Sequence, residues 1–291
     1  MLGSDTNMSG RICLVTGATS GIGAATALAL AQLGATVIVV GRDPKKCSAS
    51  VEAIRSSSGN AGVEQMLADL SVQSEILRLA RHFKEKYRRL DVLINNAGAR
   101  FLSRSLSADG LEMTFALNHL GYFILTNLLL KELLTSTHGR IINVCSEAHR
   151  GCRGIDFEDL QGVQSYQGKD AYAQSKLANL LFTYELARQL DGTGLTVNAL
   201  DPGNVWTNFS RNNGWLSWAR HIMGSLRSGR LVGPREGAST GVYLASSPEV
   251  QGISGKYFSQ GNMVASSELS YDVAAARRLW DVSLDLAGFK T

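Results

Sequence analysis

Thr16-Gly17-Ala18-Thr19-Ser20-Gly21-Ile22-Gly23 decides the fold. The stretch lies between a short apolar run, Arg11–Thr16 (RICLVT), and a segment rich in small residues, Gly23–Leu33 (GAATALALAQL). The first has the length and composition of a buried strand, and the second reads as a helix. Glycines between them let the backbone turn tightly and approach a pyrophosphate, while the helix start offers unpaired N–H groups and a positive dipole end. The spacing is GxxxGxG rather than GxGxxG, but the strand–turn–helix setting is the one a dinucleotide site requires. Gly17, Thr19, Ser20, Gly21, Ile22 and Gly23 are therefore expected to bind a cofactor.

Outward from this turn, strand-like and helical stretches alternate. Strands are expected at Thr36–Val40, Val63–Ala68, Asp91–Asn95, Arg140–Val144 and Leu195–Leu200, with Lys256–Phe258 as the last. Helices are expected at Ser48–Ser56, Ser74–Tyr87, Arg235–Ala245, along one long stretch at Leu111–Leu134, and in a strongly amphipathic one at Ala171–Leu190. This order predicts an α/β protein, a single Rossmann-type doubly wound parallel sheet with helices on both faces. No Pro/Ser-rich linker or internal repeat interrupts it, so residues 1–291 read as one domain with residues 1–9 as a flexible N-terminus. Two long irregular segments, Glu147–Asp170 and Val205–Pro234, follow strands at their C-terminal ends, where open α/β sheets bind ligands.

The second strand ends in Val40-Gly41-Arg42-Asp43. Gly41 stands where an acid would bind the ribose 2′-hydroxyl of NAD(H), and the guanidinium of Arg42 suits a 2′-phosphate. NADP(H) is favoured; the alternative is NAD(H) with Asp43 on the ribose. Asp69 and Leu70 close the third strand, where they would border the adenine. Asn96, Ala97 and Gly98 close the fourth and are expected to touch the cofactor.

Tyr172-Ala173-Gln174-Ser175-Lys176 puts a phenol and an amine at i and i+4 on one helical face. A neighbouring ammonium favours phenolate, which would let Tyr172 exchange a proton with an alcohol or carbonyl oxygen. Ser146 ends a strand, where its hydroxyl can hold the substrate oxygen. Asn118 is a mediocre helix former in mid-helix, which points to a kink or a polar task.

Composition narrows the function. The 291 residues are 44% hydrophobic and 19% charged, with a net charge of +4. That mild excess, with no basic run interleaved with aromatics, carries no nucleic-acid signal. Cys13, Cys47, Cys145 and Cys152 form no CxxC pair and read as reduced thiols, and no metal site is expected. There is no signal peptide and no apolar run approaching a transmembrane span, so the expectation is a soluble cytoplasmic protein.

Together, TGATSGIG, NNAG, Asn118, Ser146, YAQSK and Asp201-Pro202-Gly203 resemble the short-chain dehydrogenase/reductase family over about Gly10–Gly288. SKLANLLFTYELARQL, GKYF, ARRLWDVSLDLAG and the long link containing Phe157-Glu158-Asp159-Leu160 are most similar to its retinol dehydrogenase-like group. The resemblance implies Tyr172 as general acid/base and Ser146 positioning the substrate oxygen. Lys176 would lower the Tyr172 pKa and bind the nicotinamide ribose, and Asn118 would hold a water in a proton relay. Pro202, Gly203, Val205 and Thr207 would border the nicotinamide. It also implies a homodimer or homotetramer, with Leu111–Leu134 and Ala171–Leu190 as interface helices. Several animal members carry an N-terminal membrane anchor, and none is expected here.

Residues 205–234 contain Trp206, Phe209, Trp215, Leu216, Trp218, Ile222 and Met223. They suggest a lid over an apolar substrate held by Ser146, Tyr172 and Trp206; a satellite core or a dimer contact is the alternative. The expected function is NADP(H)-dependent interconversion of an alcohol and an aldehyde or ketone, with an apolar or retinol/retinal-like substrate. A catalytically silent NADP(H) sensor or scaffold is the alternative from another class, and a sugar-nucleotide epimerase is a third reading.

Overall fold

The apolar runs become the strands of one eight-stranded sheet in this computed structural model, which describes residues 6–205 and 232–289. The strands are β1 (Ile12–Thr16), β2 (Thr36–Gly41), β3 (Val63–Leu67), β4 (Val92–Asn95), β5 (Arg140–Val144), β6 (Thr196–Asp201), β7 (Lys256–Ser259) and β8 (Asn262–Val264). Their order is β3-β2-β1-β4-β5-β6-β7-β8. All neighbours are parallel except β7 and β8. The sequence order of the strands reverses between β1 and β4, so a crevice opens at their C-terminal ends.

The central strands are covered on both faces, which is why β1, β2 and β4 read as apolar runs. In β1, Leu14 joins a core on one face with Phe83, Phe123 and Leu177. Cys13 and Val15 join the core on the other face with Ala27, Leu30 and Val242. The helices on this second face are α1 (Gly21–Gln32) and α2 (Pro44–Ser58), together with the helix Pro234–Ser246. On the first face lie α3 (Gln73–Lys86) and the segments that follow β4.

The long helix expected at Leu111–Leu134 is broken. It runs as α4 (Met113–Phe115), a π-helical turn over Ala116–Leu120, α5 (Gly121–Leu128) and α6 (Leu130–Leu134). Glu112 caps the start, accepting from Thr114 N at 2.8 Å and Phe115 N at 2.7 Å. The π turn centres on Asn118, whose carbonyl accepts a side-chain bond from Asn179 Nδ2 at 2.9 Å. An outside donor for a helix carbonyl is a recognised cause of such a bulge.

The helix α7 (Gly168–Gln189) also departs from expectation, being buried on most of its surface rather than amphipathic. The reason is a C-terminal helix that the periodicity reading did not assign. Numbering Pro234–Ser246 as α8, this last helix is α9 (Val273–Leu286), capped by Asp272 through Ala275 N at 3.0 Å. Its Trp280 stacks on Phe182 of α7, with centroids 6.0 Å apart, and meets Phe123 of α5 edge-on at 4.9 Å. Ser283 reaches His119 at 3.0 Å. α9 thus covers one side of α5 and α7 within the chain.

Two smaller points concern the ends. β7 is not the last strand: Gln260 (φ 50°) and Gly261 (φ 77°) make a two-residue turn with both residues left-handed, and β8 returns antiparallel. Within the expected N-terminal segment, Met8 is buried and donates its N–H to Leu33 O at 2.8 Å. Among the described residues, no helix is long and apolar enough to cross a membrane.

A buried polar chain ties the sheet centre to its helices. Asn95 Nδ2 donates to Thr126 Oγ1 (3.0 Å) and Asn143 Oδ1 (2.9 Å), and Asn143 Nδ2 donates to Thr183 Oγ1 (2.9 Å). Asn143→Ala removes two buried hydrogen bonds and is expected to cost about 2 kcal/mol. A lower urea midpoint at unchanged slope would report it; an unaltered midpoint would show that the network adds nothing to stability.

Candidate active site

The glycine turn is built by close approach. Gly17 has φ 64°, and a Cβ there would lie 2.8 Å from Ala97 Cα. At Gly23 a Cβ would run into the carbonyl oxygen of Gly17. Thr16 fastens the two strand tips: its Oγ1 accepts from Asn96 N (2.8 Å) and Ala97 N (3.0 Å), while Asn96 Nδ2 donates to Thr16 O (2.8 Å). Ser20 makes no side-chain cap on α1, and the first turn of that helix carries no acid. Its N–H groups and dipole are therefore available to an anion.

From this turn a cavity of about 850 Å³ runs along the C-terminal ends of the strands. At one end it is bordered by Thr19, Ser20, Gly21, Ile22, Arg42, Lys46, Asp69 and Leu70. Asn96, Ala97 and Gly98 form its middle. Ser146, Tyr172, Lys176, Pro202, Gly203 and Val205 border the far end. Trp206, Thr207 and the remainder of the expected lid, up to residue 231, lie outside the described residues. The glycine cradle, the uncapped helix start and the length of the crevice fit a dinucleotide.

A side chain at Gly41 would require its neighbours to shift. A Cβ there would come within 2.6 Å of Thr19 Cγ2 and 2.8 Å of Cys47 Sγ. Asp43 is occupied as the N-cap of α2, its Oδ1 accepting from Lys45 N at 2.9 Å and Lys46 N at 3.1 Å. Asp69 lies 3.3 Å from Arg42 and accepts from Ser71 N and Oγ. Burial pushes its carboxyl up, but the Ser71 bonds and Arg42 outweigh this and hold it below the usual range.

At the other end, α7 starts against the chain after β4: a Cβ on Gly168 would collide with Phe101 O. This contact sets where the first turns of α7 stand, and Tyr172 stands on them. Gly168→Ala is therefore expected to lower kcat by about tenfold or more through misplacement of Tyr172. Steady-state kinetics with circular dichroism as a folding control would check it; full activity in a folded variant would contradict it.

Tyr172 is half-buried and hydrogen-bonded to Ser146. Its phenol is pushed well above the usual value, first by burial and then by Asp201 and Cys145; Ser146 and the Arg100 guanidinium pull the other way. The expected lowering by Lys176 is thus not what sets the phenol. Lys176 Nζ donates to Val144 O at 2.9 Å and lies 5.7 Å from the ring centroids of both Tyr172 and Tyr122. Burial lowers its own pKa to about 8. Tyr172 is accordingly a proton-bearing phenol at neutral pH.

Ser146 begins a 3-10 turn, Glu147–Gly151, within the segment expected to be irregular. The turn is braced from three sides. Ser146 Oγ accepts from Ala148 N at 3.2 Å, Glu147 N donates to Asp201 Oδ1 at 3.2 Å, and His149 Nδ1 donates to Ser146 O at 2.6 Å. Nε2 of the same buried imidazole accepts from Ser267 N at 3.1 Å, which assigns the tautomer.

Asn118 does not border the cavity. Its Oδ1 accepts from Ala99 N (2.9 Å), and its Nδ2 donates to Ala99 O (2.9 Å) and Ser175 Oγ (3.0 Å). With its amide so engaged, the side chain pins the NNAG loop to α7. Lys46, Arg100, Phe101 and Asn204 also border the cavity and were not singled out from sequence. Lys46 stands in the first turn of α2, four residues after Arg42; none of the four was marked by a local pattern.

Comparison with known proteins agrees with this geometry. Residues 11–214 match the model of the short chain dehydrogenase family. The chain is 41% identical to retinol dehydrogenase 11 of Homo sapiens over 285 residues, covering 98% of this chain and 88% of that protein. It is 41% identical to retinol dehydrogenase 14 of Mus musculus over 291 residues, covering 97% and 87%. Among solved structures, an uncharacterized protein from Mycobacterium Paratuberculosis has a TM-score of 0.78 at 34% identity, covering 98% of this chain and 96% of that one. The Pseudomonas aeruginosa RhlG/NADP active-site complex has a TM-score of 0.71 at 27% identity, covering 92% and 100%.

Proposed function

The chain belongs to the short chain dehydrogenase family, in its retinol dehydrogenase-like group, and from that premise we propose that it reduces an aldehyde or ketone with NADPH, using Tyr172 as the general acid. The observation that carries the proposal is the hydrogen-bonded Ser146–Tyr172 pair at the far end of the cavity that begins at the glycine turn.

The protein is an oxidoreductase of the alcohol/carbonyl type with a nicotinamide dinucleotide cofactor. The nicotinamide, when bound, supplies or accepts the hydride. The protein does the rest. The N–H groups at the start of α1 receive the pyrophosphate, and Arg42 with Lys46 receives a 2′-phosphate. Ser146 holds the substrate oxygen beside Tyr172 Oη. A phenol raised in pKa by burial keeps its proton at neutral pH and can deliver it to a carbonyl oxygen gaining negative charge. Lys176 offers its amine to the nicotinamide ribose. The names of the relatives support an apolar, retinal-like substrate body.

The test is NADPH oxidation against a panel of aliphatic and aromatic aldehydes and retinal, with NADH in parallel. Turnover with NADPH preferred supports the reading; NADPH binding without turnover across the panel would replace it with a sensor. A pH dependence also follows. Lys176 is cationic below about 8 and neutral above, so kcat/KM for NADPH should hold steady at lower pH and decline above about 8. A profile flat to pH 10 would remove the Lys176 ammonium from cofactor capture.

A further inference from the structure

The imidazole of His149 lies three residues beyond Ser146 and has no task in the reaction as proposed. It is fully buried and does not border the cavity. Both of its ring nitrogens are spent on backbone groups. Nδ1 lies 2.6 Å from Ser146 O, which can only accept. Nε2 lies 3.1 Å from Ser267 N, which can only donate. These two partners admit one form of the ring, neutral with its proton on Nδ1. Tyr257 of β7 packs on it edge-on, with centroids 5.3 Å apart.

The carbonyl held by Nδ1 belongs to the residue whose hydroxyl faces Tyr172. Ser146 O accepts from His149 twice, from the backbone N at 3.2 Å and from Nδ1 at 2.6 Å. The Ser267 end leads to the other reacting residue. Ser266 Oγ lies 2.7 Å from Tyr184 OH on α7, the helix that carries Tyr172. Arg150 Nη2 donates to Ala265 O at 2.6 Å. Residues 265–267 therefore grip both the turn of Ser146 and the helix of Tyr172, and the imidazole carries that hold to the Ser146 carbonyl.

We propose that His149 is a positioning residue for the reaction: its neutral Nδ1–H form, fixed by Ser267 N, holds the Ser146 carbonyl so that the serine hydroxyl meets Tyr172, and a proton added at Nε2 releases it. This rests on the proposed roles of Ser146 and Tyr172. A proton on Nε2 would set donor against donor at Ser267 N–H. Burial is the largest cause of an imidazole pKa lowered from 6.5; the Ser146 bond and Glu147 oppose it, and Arg150 adds to it. The neutral form therefore persists at neutral pH, and kcat falls as pH drops through a value below 6.5. The ionisable groups around the ring are Glu147 and Arg150 on its own turn, Tyr257 on β7, and Tyr172 and Tyr184 on α7. Glu268 and Tyr271 follow Ser267, and Asp201 ends β6. Asp201 is the rival for an acid limb, because burial raises its carboxyl and it accepts from Glu147 N.

The experiment measures kcat and KM for NADPH, with an aldehyde that the wild type turns over, from about pH 5 to pH 8 in the wild type, His149→Gln and His149→Asn. The Gln amide reaches the Nε2 position, where it can accept from Ser267 N but leaves Ser146 O. The Asn amide reaches the Nδ1 position, can still donate to Ser146 O, and does not titrate. His149→Gln should lower kcat by roughly 10–100-fold, the range for a misplacement of about 1 Å, with KM for NADPH within a factor of about two. His149→Asn should recover most of that loss and lack the acid limb of the wild type. Nitrogen NMR of the isotopically labelled histidines of the wild type should show one imidazole with Nδ1 protonated and Nε2 bare at neutral pH. Equal kcat in the two variants overturns the proposal, as does an acid limb that survives in His149→Asn, which would belong to Asp201. An Nε2–H form in the wild type overturns it even if neither variant folds. Absence of wild-type turnover across the aldehyde panel would instead remove the reductase reading, and the positioning role with it.

Discussion

Tyr172→Phe is expected to lower kcat by about 10³-fold while leaving NADPH affinity within a factor of a few. The substitution removes one oxygen and keeps the ring. The contact of that ring with Lys176 Nζ, 5.7 Å from its centroid, is retained. So is the packing of α7, because the deleted hydroxyl reaches Ser146 and the cavity rather than the core. What disappears is the proton donor for the developing alkoxide: Ser146 is a weaker acid, and Lys176 Nζ stands behind the ring, 5.7 Å from its centroid, bonded to Val144 O. Fluorescence titration of NADPH separates binding from turnover, and a thermal midpoint near that of the wild type excludes misfolding. A variant turning over at more than a tenth of the parent rate would remove the phenol from the proton step.

Arg42→Leu is expected to reduce the preference for NADPH over NADH by roughly 100-fold, the upper range for one charge-assisted phosphate contact. The loss should appear as a raised KM for NADPH with little change for NADH. Asp69 adds to the effect: its carboxylate, now 3.3 Å from the guanidinium, would face the 2′-phosphate without its counter-charge. The reciprocal change, Gly41→Asp, places a Cβ against Thr19 Cγ2 and Cys47 Sγ, so any gain in NADH use requires those two side chains to turn aside. Unchanged KM ratios in Arg42→Leu would place the 2′-phosphate elsewhere.

The sheet was readable because its strands are covered on both faces. Thr36–Gly41 has no polar position inside it, so a continuous β-branched run marks it without any knowledge of neighbours. The glycine turn was readable because its chemistry is local. Asn118 signalled a disturbance by being a poor helix former, but the π turn depends on Asn179, 61 residues away, and could not be inferred. β8 has three exposed residues and a Gln-Gly turn, a weak hairpin signal, and so passed for loop. The amphipathic reading of α7 failed because α9 covers the side taken for solvent-facing. The phenol was read from its i+4 partner alone, yet its pKa is set first by burial, which is a property of the whole fold.

The most direct measurement is transfer of label. NADPH deuterated at the hydride position of C4 is incubated with the protein and an aldehyde that it turns over, and the alcohol is examined by mass spectrometry. If the cavity from Gly17 to Tyr172 holds a nicotinamide against a substrate carbonyl, the alcohol carries one deuterium on its carbinol carbon. An alcohol without deuterium from either C4 face, or loss of aldehyde without oxidation of NADPH, would contradict the account.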